Sequence, residues 1–167
     1  MEAKMKQREI NRIIIHCSAT PAGRHVTVAD IDRWHRQRGF RKIGYHYVIY
    51  TDGTIHQGRA ENETGAHCSG HNARSIGVCY IGGCDKEMKP ADTRSEAQRK
   101  TLKELVSELL KRYPGATVHG HNQMTCARGK TSPGFDPLIC PADCTRCRYA
   151  AKACPSFDVK KEFTNER

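Results

Sequence analysis

Arg12-Ile13-Ile14-Ile15-His16 contains three consecutive β-branched apolar residues between two basic ones. A continuous apolar run of this kind predicts a strand that is buried inside a sheet. His16 follows at the end of the predicted strand, where open α/β sheets usually place their functional sites. Taken alone, His16 is explained equally well as a hydrogen-bonded core histidine and as a site residue.

Two helices are predicted by their capping residues. Thr27 is a favourable N-cap, and the helix that it begins is expected to run to Gly39. Ser95-Glu96-Ala97-Gln98 has the form of a capping box, and the helix that follows is expected to run to about Tyr113. Apolar residues recur at helical spacing in both segments, so each helix should pack one face on a core.

The remaining strand signals lie around these helices, at residues 45–50, 54–57, 76–81 and 116–121. Strand alternation places Tyr45 on the same face as Tyr47 and Ile49. Because strands and helices are mixed along the chain, we predict an α/β fold in which helices flank a central mixed sheet. We expect one domain that spans residues 1–167.

The segment Lys152-Ala153-Cys154-Pro155-Ser156-Phe157 places an amine and a thiol two residues apart. In an extended segment both side chains point to the same side. A thiol beside a positive charge ionises more readily, and the thiolate is the form that binds metal. His16 and a histidine of Val118-His119-Gly120-His121 would complete a three-ligand zinc site with an open fourth position, although spacing does not choose between His119 and His121.

The overall composition excludes some classes of protein. The longest apolar runs fall far short of the roughly 18 residues of a membrane span, so we expect no membrane insertion. The charged segment Met1 to Arg12 lacks the apolar core of a signal peptide, so we expect synthesis in the cytoplasm. A net charge of +10 favours a polyanionic partner, for which nucleic acid, anionic lipid and bacterial cell wall are all candidates.

Five of the nine cysteines lie in the last quarter of the chain. Residues 122–151 lack periodicity and are predicted to be a Cys-rich insertion. A second, structural zinc in this insertion is one hypothesis, with disulfides and unpaired thiols as the alternatives. Its ligands would be Cys126, Cys140, Cys144 and Cys147. A zinc-ribbon protein that binds nucleic acid is not expected, because it would leave the His16 and Tyr45 motifs unexplained.

Five motifs together resemble the zinc-dependent N-acetylmuramoyl-L-alanine amidases, in the branch that includes phage lysozyme-type amidases and peptidoglycan recognition proteins. The resemblance runs from about Arg12 to Phe163, in the order of the family. Its motifs are Ile15-His16-Cys17-Ser18-Ala19-Thr20, Gly44-Tyr45-His46-Tyr47, Ser75-Ile76-Gly77-Val78, Gly120-His121 and Lys152-Ala153-Cys154-Pro155-Ser156-Phe157.

The resemblance implies one catalytic Zn²⁺ with His16, His121 and Cys154 as ligands. It also implies that Tyr45 and Lys152 are catalytic. His67 matches a loop histidine that lines the substrate groove in the family, and Asn72 lies near it in sequence. The 30 residues between His121 and Lys152 depart from the compact phage members.

The implied reaction is hydrolysis of the amide between the lactyl group of muramic acid and L-alanine of peptidoglycan. The implied role is that of a phage or prophage lysis enzyme, which acts on the cell wall after release and which we expect to be a monomer. The alternative is a non-catalytic peptidoglycan-binding or regulatory protein of the same fold, but such relatives typically lose a zinc ligand. Some phage relatives also bind an RNA polymerase, and no feature of this sequence bears on that property.

Overall fold

The computed structural model of the protein describes residues 7–124 and 153–163. Lys152 and the four insertion cysteines therefore lie outside the described residues. The strands are β1 (Arg12–Cys17), β2 (Thr20–Pro21), β3 (Tyr47–Ile49), β4 (Ile55–Gln57), β5 (Ser75–Tyr80), β6 (Gly83–Cys84) and β7 (Thr117–Gly120). The helices are α1 (Val28–Gln37), α2 (Glu96–Arg112) and α3 (Val159–Phe163), and short 3-10 turns cover Asn72–Arg74 and His121–Gln123.

The main sheet has five strands in the order β4-β3-β5-β1-β7. β1 pairs in parallel with both β5 and β7, β3 pairs in parallel with β5, and β4 is antiparallel to β3. The sheet is thus mixed, and helices pack on it, which confirms the predicted α/β fold. The apolar run Ile13, Ile14 and Ile15 lies in the interior strand β1 and is fully buried, as predicted.

Both predicted helix starts are confirmed. Thr27 Oγ1 accepts a hydrogen bond from the Asp30 N–H at 3.2 Å, and Ser95 Oγ accepts one from the Gln98 N–H at 3.0 Å. In each case the side chain of the third helical residue accepts a hydrogen bond from the backbone N–H of the cap, so two otherwise unpaired donors are satisfied. α1 ends two residues before Gly39, which has a positive φ of 91°.

The two faces of the sheet are covered by different helices. Ile13 and Ile15 belong to the core that includes α2 and α3. Ile14 and His16 point to the opposite face, because successive side chains of a strand alternate. α1 packs on a second core through Ile31. The end of β1 borders a cavity on the face that carries His16.

The prediction for Tyr45 was wrong in one respect. The strand is shorter than expected, and Tyr45 packs in the cluster of Val48 rather than with Ile49. Two consecutive carbonyls, of Tyr45 and His46, accept hydrogen bonds at 2.9 Å from the same neighbouring segment. A regular strand alternates these bonds between its two sides, so the alternation is interrupted here and Tyr45 turns to the face of His16.

None of the helices in the described ranges combines the length and the apolar character that crossing a membrane would require.

Candidate active site

Three side chains from distant parts of the chain converge at the end of β1. His16 lies near the end of β1, and His121 directly follows the neighbouring parallel strand β7. Cys154 is the third, and one donor atom from each residue lies within 4.8 Å of the other two. The Cys154 Sγ is 3.9 Å from His16 Nδ1, and the rings of His16 and His121 are 4.6 Å apart between centroids.

The segment that carries Cys154 is held by three separate parts of the fold. The Asn122 N–H donates to the Cys154 carbonyl at 2.8 Å. The Tyr80 hydroxyl donates to the Pro155 carbonyl at 2.6 Å, and the Ser156 hydroxyl donates to the Gly83 carbonyl at 2.8 Å. These bonds fix the thiol of Cys154 beside the end of β1, where it also accepts the Cys17 N–H at 3.3 Å.

Gly120 allows this segment to approach β7 closely. A Cβ at this position would come within 3.0 Å of Pro155 Cδ and 2.7 Å of Asn122 Oδ1. A larger residue would require Asn122 or the Cys154 segment to shift. The small residue before the second histidine is therefore a packing requirement of the site.

The donor set fits a zinc ion. Zinc is held by imidazole nitrogen at about 2.0–2.1 Å and by thiolate sulfur at about 2.3 Å, so tetrahedral ligand atoms lie about 3.5 Å apart. The Cys154 Sγ and His16 Nδ1 are 3.9 Å apart, near this spacing, and all three donors lie within 4.8 Å of one another. Two imidazoles and a thiolate are also ligands that zinc accepts, and three protein ligands leave a position for water or substrate. His16, His121 and Cys154 would hold the ion.

His119, the competing histidine, is oriented differently. Its Nε2 is 2.7 Å from Thr117 Oγ1, on its own strand. β7 ends at Gly120, and His121 begins a 3-10 turn that carries its ring towards His16. Among the described residues, the cluster of candidate metal ligands contains His121 and not His119.

The three residues open into a cavity of about 600 Å³. Tyr45 lines this cavity, with its ring centroid 5.1 Å from that of His16. Burial raises the pKa of Tyr45 well above its ordinary value, and the nearby Cys79 thiol raises it further. The Tyr45 hydroxyl is therefore protonated at neutral pH and is a hydrogen-bond donor, with the Cys79 thiol as a partner.

His67 and Asn72 both line the cavity but make different contacts. The Nδ1 of His67 lies 2.8 Å from His16 Nε2. Asn72 organises the loop, because its Oδ1 accepts the backbone N–H groups of His67 and Cys68, both at 2.9 Å. Burial lowers the pKa of His67 well below its ordinary value, so this imidazole is neutral.

A further part of the cavity wall comes from α1 and the residues directly after it. Trp34, Arg38 and Phe40 line it, and the Arg38 guanidinium lies 5.2 Å from the centre of the Phe40 ring. In the sequence, the basic residues Arg33, Arg36 and Arg38 are more simply explained as a solvated helix surface, although a basic rim would also suit an anionic ligand. Arg38 differs from the other arginines because it stands at the C-cap, where the chain turns towards the sheet.

Comparison with known families agrees with this geometry. A family model described as N-acetylmuramoyl-L-alanine amidase matches residues 6–135. The chain belongs to this amidase family. The matched range includes His16, Tyr45, His67 and His121 of the amidase, and ends before Cys154.

The amidase is also similar to phage endolysins along nearly its whole length. It is 36% identical to the endolysin of Escherichia phage T7 over 159 residues, which is 95% of this chain and 89% of that protein. It is 35% identical to the endolysin of Klebsiella phage KP32 over 156 residues, which is 93% of this chain and 87% of the relative. The resemblance found in the motifs is thereby confirmed, and the chain is a hydrolase of the amidase class.

Solved structures support the same fold. The amidase is similar to the endolysin amidase LysCS from Clostridium intestinale, with a TM-score of 0.62 and 31% identity over 78% of this chain and 80% of that one. It is also similar to a mutant of the Drosophila peptidoglycan-recognition protein LB in complex with tracheal cytotoxin. That likeness has a TM-score of 0.65 and 25% identity over 95% of this chain and 82% of that one.

Proposed function

We propose that this amidase is a zinc enzyme that hydrolyses the amide between the lactyl group of muramic acid and L-alanine in peptidoglycan. The observation that carries the proposal is the convergence of His16, His121 and Cys154 within 4.8 Å at the edge of a cavity. Membership of the family supports hydrolysis of an amide bond, and the three convergent donor atoms support a bound zinc ion. A non-catalytic binding protein would not need all three donors.

Zinc bound by these residues would polarise the amide carbonyl and lower the pKa of a water molecule to near neutrality. The protein's own groups account for the rest of the chemistry. Tyr45 lies beside His16 with a protonated hydroxyl, so it can donate a hydrogen bond to the carbonyl oxygen as that oxygen gains negative charge. The Cys17 thiol and burial raise the pKa of Cys154, while the Cys17 N–H that donates to Cys154 Sγ lowers it. As a zinc ligand, Cys154 would be a thiolate stabilised by the positive charge of the ion.

Lys152 has a second catalytic role in this proposal, that of an electrostatic stabiliser of the oxyanion. It lies outside the described residues, so the support comes from sequence. Lys152 is two positions before Cys154, and the described Cys154 segment is anchored at the site. An ammonium group near the carbonyl oxygen would complement the Tyr45 hydroxyl.

The similarity to two phage endolysins over more than nine-tenths of the chain supports a role as a phage or prophage lysis enzyme. In this role the enzyme would act on the cell wall after release from the cell. We also propose that it has a single domain, since the alignments cover 93–95% of this chain and 87–89% of the two endolysins. A monomer is part of the same proposal. Peptidoglycan is then its partner, and the net charge of +10 suits an anionic polymer.

Digestion of purified peptidoglycan tests the proposal. The protein should release new N-terminal L-alanine without new reducing sugar ends, and a chelator should abolish this release until zinc is restored. A Cys154→Ser variant, prepared in parallel, is the matched control and should release none. New reducing ends, or release that continues in the metal-free protein, would contradict the proposed reaction.

A further inference from the structure

A chain of hydrogen bonds leads away from the metal-ligand cluster into the sheet. His16 Nδ1 faces Cys154 Sγ, whereas His16 Nε2 lies 2.8 Å from His67 Nδ1. His67 Nε2 in turn lies 3.2 Å from the hydroxyl of Ser75, which is fully buried at the start of β5. Each histidine thus uses one ring nitrogen towards the site and the other away from it.

The direction of the protons follows from the metal. A nitrogen that ligates zinc must be unprotonated, so a His16 that presents Nδ1 to the ion carries its proton on Nε2. That N–H then donates to His67 Nδ1, which must be the unprotonated nitrogen of a neutral ring. The proton of His67 lies on Nε2 and is donated to Ser75. With Nδ1 of His16 unprotonated for the ion, this is the one arrangement of protons that satisfies both the His16–His67 and the His67–Ser75 hydrogen bonds.

The ring of His67 is itself fixed in place. The loop that begins at His67 is closed by Asn72, whose side chain accepts two consecutive backbone N–H groups. The ring lies directly over Gly77 of β5, where a Cβ would come within 2.6 Å of His67 Cγ. Gly77 is the register partner of Ile14 in β1, so the ring rests on the same face of the sheet as His16.

We propose that His67 is a positioning residue that fixes the tautomer and ring orientation of His16, so that Nδ1 of His16 faces the metal. Asn72 and Gly77 serve the same purpose one step further out, by holding the loop and leaving space for the ring. The inference rests on the proposed zinc role of His16. It differs from the substrate-binding role that the motif implied for His67, and the two roles make different predictions.

Zinc affinity separates the two roles. Partners that orient a metal-ligating histidine typically contribute 10- to 100-fold in metal affinity. The affinity for zinc can be measured by competition with a chromophoric chelator, and the zinc that is lost in Cys154→Ser identifies the site. At this site, His67→Ala should bind zinc about 10- to 100-fold more weakly than wild type. His67→Asn should recover most of this loss, because its amide oxygen can accept the His16 N–H from near the position of Nδ1. His56→Ala, which removes a histidine stacked on Tyr50 away from the cavity, should leave the affinity unchanged.

A second measurement does not depend on metal or on activity. In the metal-free wild-type protein, ¹⁵N NMR of His16 should report a single tautomer with the proton on Nε2. His67→Ala should give a mixture of tautomers, and His67→Asn should restore the wild-type pattern. Thermal unfolding of the metal-free variants checks that each one is folded.

Three results would overturn the inference. One is a His67→Ala protein that binds zinc as tightly as wild type and changes only KM for peptidoglycan, which would make His67 a substrate contact. Another is a wild-type His16 with its proton on Nδ1, which needs no variant to be measured. The third is an unchanged His16 tautomer in His67→Ala. If instead the wild-type protein bound no zinc at this site, the proposed function would fail while the tautomer measurement still judged the role of His67.

Discussion

Arg94 joins the start of α2 to the segment that carries Cys154. Its side chain is 1% exposed, yet it is charged and is held by two carboxylates. It contacts Asp92 through Nε and Nη2, both at 2.9 Å, and Glu162 of α3 through Nη1 at 3.0 Å and Nη2 at 2.7 Å. The guanidinium also lies 3.4 Å from the centre of the Phe157 ring.

We predict that Arg94→Ala destabilises the fold substantially. Removing one partner of a buried ion pair costs about 3–5 kcal/mol, because the remaining charges are left buried and unpaired. Asp92 and Glu162 keep 26% and 21% exposure, so the lower end, about 3 kcal/mol, is expected here. For a domain of this size each kcal/mol lowers Tm by about 2–4 °C, so Tm should fall by about 6–12 °C.

Arg99→Ala is the matched control. Arg99 contacts the same Asp92 at 2.9 Å, but its side chain is 44% exposed, and exposed ion pairs contribute only about 0–1 kcal/mol. Urea unfolding of the metal-free proteins at neutral pH measures both variants against wild type. An Arg94→Ala protein that loses no more stability than Arg99→Ala would refute the reasoning, since the two differ chiefly in burial.

The remaining predictions concern the site, the insertion and pH. Tyr45→Phe and Lys152→Ala should each keep the zinc bound yet lower turnover about 100-fold or more, and near-normal turnover in either would remove its oxyanion role. If the insertion binds a structural zinc, Cys144→Ser should lower the zinc content by one per chain while activity remains, and an unchanged content would exclude that centre. Burial lowers the pKa of His35 and of His46 to about 4 in the folded protein. Between about pH 6.5 and pH 4 the unfolded chain therefore binds more protons than the folded chain. The free energy of unfolding in urea should therefore fall as pH falls through this window, and a flat profile there would contradict the burial of these two neutral rings.

The features that sequence predicted correctly are those set by local physics. The apolar run of β1 and the capping boxes of α1 and α2 involve residues that are close in the chain, so propensity and hydrogen-bond patterns suffice. The resemblance to the family then indicated which residues along the chain form the site. What spacing alone left open was the choice between His119 and His121, because an ideal strand would present both on one face.

The structure decides between His119 and His121 by the position at which β7 ends, which residue spacing does not reveal. β7 ends at Gly120, and the turn that follows redirects His121. The other unpredicted features depend on contacts between residues far apart in sequence. His16 meets His67 across 51 positions and Arg94 meets Glu162 across 68, so neither contact leaves a periodic signal.

The zinc content of two proteins purified side by side tests the central claim most directly. Wild type and Cys154→Ser share the same insertion, so their difference counts only the metal held by His16, His121 and Cys154. His119→Ala, which leaves the three ligands intact, serves as the control. The proposed site predicts that Cys154→Ser holds one zinc per chain fewer than wild type and that His119→Ala holds the same number. Equal zinc content in wild type and Cys154→Ser would contradict it.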